Sequence, residues 1–246
     1  MAKKKLQSPK SAIPQDVAAI RKEISKFLNQ DDSKKRKIGS AQYGVYAFYD
    51  YDGEPIYVGH TREKLRARIG RHLTNQRTDA VAMNVLDPFE VAEIEVWPIY
   101  PGRTSKKEIS YLLSATEYTV FQKVLRESKL RAVLNEKDIA KKPPVDLPPA
   151  FRGRIIPDTI YEHRKHPDVR IARRANTIAA LARVISERDV SKGLRRTLLT
   201  QARRLEHLAK QRFEEIGGAI PVEEPTEETG ETAAKSDTPP RGLKRR

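Results

Sequence analysis

Two short triplets eleven residues apart, Gly44-Val45-Tyr46 and Tyr57-Val58-Gly59, followed by the basic stretch His60 to His72, constrain this chain more than any other feature. Val45, Ala47 and Tyr49 alternate with Tyr46 and Phe48, and Pro55-Ile56-Tyr57-Val58 makes a second apolar run. Asp50-Tyr51-Asp52-Gly53-Glu54 between them carries turn chemistry, so the pair predicts a β-hairpin. Gly59 ends the second strand, and Thr61 is placed to cap a helix beginning near Arg62. On that helix Leu65, Ile69 and Leu73 recur at a spacing of four and therefore face the sheet. Arg68 and His72 lie one turn apart on one edge of this stripe, and Arg66 flanks the other. An arginine and a histidine are thus held where the helix meets two tyrosine-bearing strands.

The whole chain sets limits. Its 246 residues, 38% of them hydrophobic, allow one modest domain plus a smaller helical one. A formal net charge of +15 points to a polyanionic partner. An anionic membrane surface is the competitor, but the chain has no aromatic-rich amphipathic basic helix, no apolar run near the roughly 18 residues of a span and no signal peptide. The expectation is a cytoplasmic protein without membrane attachment. The absence of cysteine removes disulfides, thiolate zinc sites and cysteine nucleophiles together, which leaves a hard ion held by oxygen ligands as the expected metal.

Along the chain, residues 1–40 read as a lysine-rich tail and an amphipathic helix from Pro14, with Val17, Ile20, Ile24, Phe27 and Leu28 at helical spacing, then a polar linker from Asp31 to Lys37. Residues 41–140 form the central domain. In it Phe89 to Trp97 reads as a third strand, with Trp97 a core residue. Ser105 starts a helix whose stripe is Ile109, Leu113, Val120 and Val124. Glu117 falls inside that apolar arc, where a lone carboxylate must be neutralised, paired or metal-bound; a salt bridge to an arginine and a metal site both satisfy this. Asn135 closes the short apolar run Ala132-Val133-Leu134 and reads equally as a helix terminator.

Residues 141–157 are proline-rich and predict a linker. Residues 158–216 form a basic helical region with helices over 171–185 and 194–216, Ser191 capping the second. Their outer faces carry Arg173, Arg174, Arg183, Arg195, Arg196, Arg203 and Arg204, suited to bidentate phosphate contacts. The region therefore predicts a separate DNA-binding arm; the alternative is a homodimer built on Leu194, Leu198, Leu205 and Leu208. His163, His166 and His207 have no carboxylate at metal spacing, and residues 217–246 form an acidic, then basic tail.

The two triplets, the hairpin between them and the following Leu-x-x-Arg-Ile stretch resemble the GIY-YIG nuclease domain over about residues 40–138, with Arg68 chosen over Arg66 because Ile69 follows it. His60 stands where repair-type members carry lysine. The resemblance implies an α+β fold, a small three-stranded mixed sheet flanked by helices, here with a helical C-terminal extension. It implies a Mg2+- or Mn2+-dependent endonuclease acting on DNA, with Glu117 as the metal ligand. Arg68 would then stabilise the transition-state charge, Tyr46 or Tyr57 orient or deprotonate the water, His72 share or take that part, and Asn135 complete the site. His60 and Arg66 join Arg173, Arg174, Arg195, Arg196 and Arg203 as candidate DNA contacts. The compact chain looks most like a type II restriction enzyme of the family, ahead of a repair or mobile-element nuclease. A nucleic-acid-binding module with an idle core is the reading from a different class.

Overall fold

The computed structural model describes residues 15–74 and 85–219. The N-terminal tail, most of the C-terminal tail and most of the stretch around residues 80–86 lie outside the described residues. The described elements are α1 (Gln15–Leu28), β1 (Tyr43–Tyr49), β2 (Pro55–Thr61), α2 (Leu65–Thr74), β3 (Glu93–Ile99), α3 (Lys106–Glu127), β4 (Phe151–Arg154), α4 (Asp158–Lys165), α5 (Pro167–Glu187) and α6 (Lys192–Glu215).

The fold is α+β, as expected, but its sheet has four strands in the order β2-β1-β3-β4, and every neighbouring pair is antiparallel. Alternation along β1 divides the core. Tyr46 and Phe48 enter a cluster with Ile24, Leu28, Leu65, Ile69 and Ile94, beneath α1 and α2. Val45, Ala47 and Tyr49 enter the opposite cluster with Trp97, Leu113, Val120 and Val124 of α3. The spacing-four stripe of α2 is buried as its periodicity requires, and Trp97 is a core residue. Ser105 and Glu108 close a capping box at the start of α3, which runs twenty-two residues. Thr61 does not cap α2: its hydroxyl and the Glu63 backbone bond to each other in the turn ahead of the helix, which starts at Leu65. The third strand starts later than its apolar pattern suggests, because Pro88 to Glu90 form a 3-10 turn with the Asp87 side chain accepting from Phe89 N–H.

The proline-rich segment does not end the domain. Val145 N–H donates to the Thr119 hydroxyl at 3.1 Å and Leu147 packs on the α3 side of the core. Phe151 to Arg154, expected as linker, then add the fourth strand beside β3. Gly153 is required there: a Cβ would lie 2.7 Å from the Phe27 ring of α1, which crosses the strand.

The C-terminal helices are not a separate arm either. Asp50, at the start of the β1–β2 turn, is 2% exposed, and its Oδ1 accepts from Asp52 N–H and Glu54 N–H. Its Oδ2 accepts from Arg204 at 2.6 Å, Arg174 at 2.9 Å and Arg170 at 3.3 Å. Arg170 also reaches Asp52, Arg174 reaches Glu90, and Arg204 donates to the Pro55 carbonyl. Three guanidinium charges thus meet the carboxyls of Asp50, Asp52 and Glu90, the condition for burying such groups. At the other end of the same turn, Glu54 accepts from the Ser128 hydroxyl and from Lys129 and Leu130 N–H, fastening the hairpin to the end of α3.

This packing engages several of the expected DNA contacts within the chain. Arg174 is buried in the Asp50 network, Arg173 is engaged twice by the Asp87 carboxylate over the Phe89 ring, and Arg196 holds Asp138 and the carbonyls of Asn135 and Glu136. Arg195 and Arg203 are exposed. The inward stripe of α6 is Leu194, Thr197, Gln201, Arg204 and Leu208, so two of the leucines expected to pair protomers are already buried within the chain.

Candidate active site

β2 is an edge strand, and the candidate site gathers at its Tyr57-Val58-Gly59-His60 end. The Tyr46 ring, fully buried, lies across Gly59: a Cβ there would meet the Tyr46 hydroxyl oxygen at 2.7 Å and the Tyr57 ring at 3.0 Å. Glycine at this position is what lets the two tyrosines come together, with ring centroids 6.3 Å apart.

Arg68 reaches this pair from α2, its Nε donating to the Tyr46 hydroxyl at 3.1 Å. Arg66 points elsewhere: it bonds the Asn29 side chain at 2.6 Å and the Leu28 carbonyl at 3.3 Å, tying α2 to the end of α1. Of the two register choices, the structure brings Arg68 to the tyrosines and uses Arg66 to hold two helices together.

His72, one turn after Arg68, is wedged between the Tyr46, Phe48 and Tyr57 rings, with centroids 5.7–6.1 Å away. Both of its ring nitrogens are buried without a hydrogen-bond partner. Burial, helped by the positive Arg68 and Arg71, pushes its pKa down to about 4, so the imidazole is neutral near pH 7. A general base must reach the proton it takes, directly or through one water. His72 meets aromatic carbon instead, and its place is that of a wedge setting the tyrosine rings.

Burial pushes the Tyr46 hydroxyl well above the ordinary phenol range; the neighbouring Tyr57 adds to this and Arg68 only partly opposes it. Tyr57 is also raised by burial, with Arg68 opposing and Glu117 adding. Both hydroxyls therefore carry their protons at neutral pH, and the nearby cation that would have to lower them does not outweigh desolvation. Tyr57, only partly buried, is the more accessible of the two.

Glu117 rises from the middle of α3, and its Oε2 lies 2.8 Å from Nδ1 of His60. The partner of this carboxylate is thus a histidine of the edge strand and not an arginine of α2. Asn135 lies alongside the same strand and not at a helix end: its Oδ1 accepts from Val58 N–H at 3.1 Å and its Nδ2 donates to Val58 C=O at 2.7 Å. Together with Leu134 N–H on Ile56 C=O, it supplies the ladder bonds that the free edge of β2 lacks. Asn135 thereby fixes the strand carrying Tyr57, Gly59 and His60. Sequence reasoning treats His60 only as a DNA contact and does not foresee its pairing with Glu117; the sole available signal is that β2 alternation turns Val58 and His60 toward α3.

A guanidinium, two hydroxyl donors and a carboxylate at one strand edge make a site suited to an anionic substrate. Comparison with known families agrees: residues 42–126 match the GIY-YIG catalytic domain, which is a nuclease domain. No curated protein and no solved structure matches the chain. A nucleic acid is accordingly the substrate class, and among the described residues no helix is long and apolar enough to cross a membrane.

Proposed function

We propose that the chain is a divalent-metal-dependent DNA endonuclease. The observation that carries this reading is the Arg68 guanidinium seated on the Tyr46 hydroxyl, beside Tyr57 and on the same strand end as Glu117 and His60. The residues fit an ion: Glu117 is a partly exposed carboxylate, and Nδ1 of the adjacent His60 is buried without a hydrogen bond. Glu117 would hold Mg2+ or Mn2+, which supplies Lewis-acid charge beside the scissile phosphate.

The chain's own groups do the rest. Arg68 binds the phosphate through the guanidinium nitrogens not engaged by Tyr46 and counters the charge that grows on the phosphoryl oxygens. Tyr46, its oxygen accepting from Arg68, keeps that guanidinium in place. Tyr57, protonated and more accessible, orients the attacking water by hydrogen bonding. Asn135 and His72 hold β2 and the tyrosine rings so that these distances persist. Arg195 and Arg203, exposed on α6, add phosphate contacts away from the site.

The test is cleavage of supercoiled plasmid by the full chain with and without Mg2+. Glu117→Gln is expected to abolish cleavage while DNA binding stays within about twofold, because it removes one ligand charge and little surface. Activity that survives chelation, or survives in Glu117→Gln, sinks the metal reading. Discrete fragments from linear DNA would support a type II restriction-like role, which suits a nuclease domain braced by its own helices; a smear would reject it.

A further inference from the structure

The contact between His60 and Glu117 is closer than the nuclease reading needs. His60 follows Gly59 on β2, Glu117 stands on α3, and the two side chains are 30% and 16% exposed. Nδ1 is buried and stands 2.8 Å from the Glu117 carboxylate, but the pair lacks the alignment of a hydrogen bond. Two donors occupying adjacent positions on one first-row divalent ion, each at about 2.1 Å, stand about 3 Å apart, which matches the separation of these atoms. The other orphaned imidazole, His72, lacks this feature, being enclosed by aromatic rings.

We infer that His60 is a second protein ligand, through Nδ1, so that the site is a mixed imidazole and carboxylate centre which binds Mn2+ in preference to Mg2+. This rests on the proposed metal-binding role of Glu117 and goes beyond it by naming the donor set and the ion class. Magnesium selects oxygen donors and gives up its waters reluctantly, whereas first-row divalent ions, Mn2+ among them, take imidazole nitrogen more readily. Among the described residues no group of three or more ionisable ligands converges, so the remaining coordination positions stay open to water and phosphate oxygens, as a catalytic site needs.

The full-length protein would be titrated calorimetrically with Mn2+ alone and Mg2+ alone, and its Mn2+-loaded form examined by pulsed paramagnetic resonance for coupling to nitrogen. The expected result is a nitrogen coupling in the wild type that vanishes in His60→Ala. Mn2+ affinity in that variant falls on the order of ten- to a hundredfold, the range seen when metal-site partners are removed, and Mg2+ affinity changes by less than about twofold. His60→Gln, which keeps the bulk of the ring position, should behave as His60→Ala, with circular dichroism showing that both are folded. Glu117-dependent Mn2+ binding without a nitrogen coupling in the wild type, or with wild-type Mn2+ affinity retained in both His60 variants, overturns this inference and leaves the metal-dependent nuclease standing. Absence of Glu117-dependent binding by either ion overturns both.

Discussion

Acid should unfold this protein through one residue in particular. His72 is neutral and enclosed by Tyr46, Phe48 and Tyr57, with its pKa at about 4 against an ordinary value of 6.5. In the unfolded chain the imidazole takes a proton as pH falls through 6.5, while the folded protein refuses it until about 4. The unfolded state then binds more protons, so stability falls as pH drops across that window and levels off below it. At about 1.36 kcal/mol per pH unit, the full penalty is about 3 kcal/mol, and at pH 5 it is about 2 kcal/mol. His72→Phe keeps an aromatic wedge and removes the titration. Urea unfolding of both proteins at pH 7 and pH 5 isolates the contribution, because the carboxylates that also respond to acid are common to both. The wild type should lose about 2 kcal/mol more than His72→Phe between the two pH values. Equal losses would refute the reasoning, and would mean that water or a conformational change satisfies the ring.

Arg68→Ala should slow single-turnover plasmid cleavage at least about 100-fold, whereas Arg66→Ala should cut nearly as fast as wild type and melt at lower temperature, without its bonds to the end of α1; the reverse ranking would move the catalytic arginine to 66. Asp50→Asn leaves three buried guanidinium groups short of a charge and should cost about 3–5 kcal/mol in denaturant titration. Deleting residues 150–246 should for the same reason leave no cooperative melt by circular dichroism, and a truncated chain that melts sharply and cuts DNA would contradict the fold described. Replacing Arg195 and Arg203 by alanine should make the dependence of log affinity on log salt shallower, by about 0.9 for every DNA phosphate no longer neutralised, without changing cleavage once DNA is bound.

The hairpin, α2 and α3 are legible in the sequence because their signals are local: alternation along Val45 to Tyr49, a spacing of four through Leu65, Ile69 and Leu73, and the Ser105 cap. β4 is not, since Phe151-Arg152-Gly153-Arg154 lacks β-branched residues and follows prolines that read as a boundary; its pairing comes from β3, more than fifty residues earlier. The inward arginines escape notice for a related reason. Helical periodicity finds buried faces by their apolar residues, and Arg170, Arg174 and Arg204 sit on such faces with acidic partners that lie far away in the chain. The site is legible as a set of residue types, and Ile69 already favours Arg68 over Arg66, but the partner of Glu117 depends on distances that no pattern of spacing contains.

The Asp50 network also fixes when, during synthesis, the cutting centre can exist. The hairpin bearing Tyr46 and Tyr57 leaves the ribosome long before its clamp does, for Arg204 follows Asp50 by 154 residues. Until α6 has been made, the Asp50 carboxylate and the Pro55 carbonyl have to stay hydrated, which keeps the turn and the start of β2 open to water. Contacts of such long separation are among the last to form and are slow to close. A ribosome-bound or prematurely terminated chain would therefore display the tyrosines and Arg68 without the braced strand that aligns them, and nuclease activity would switch on only when the last helix docks.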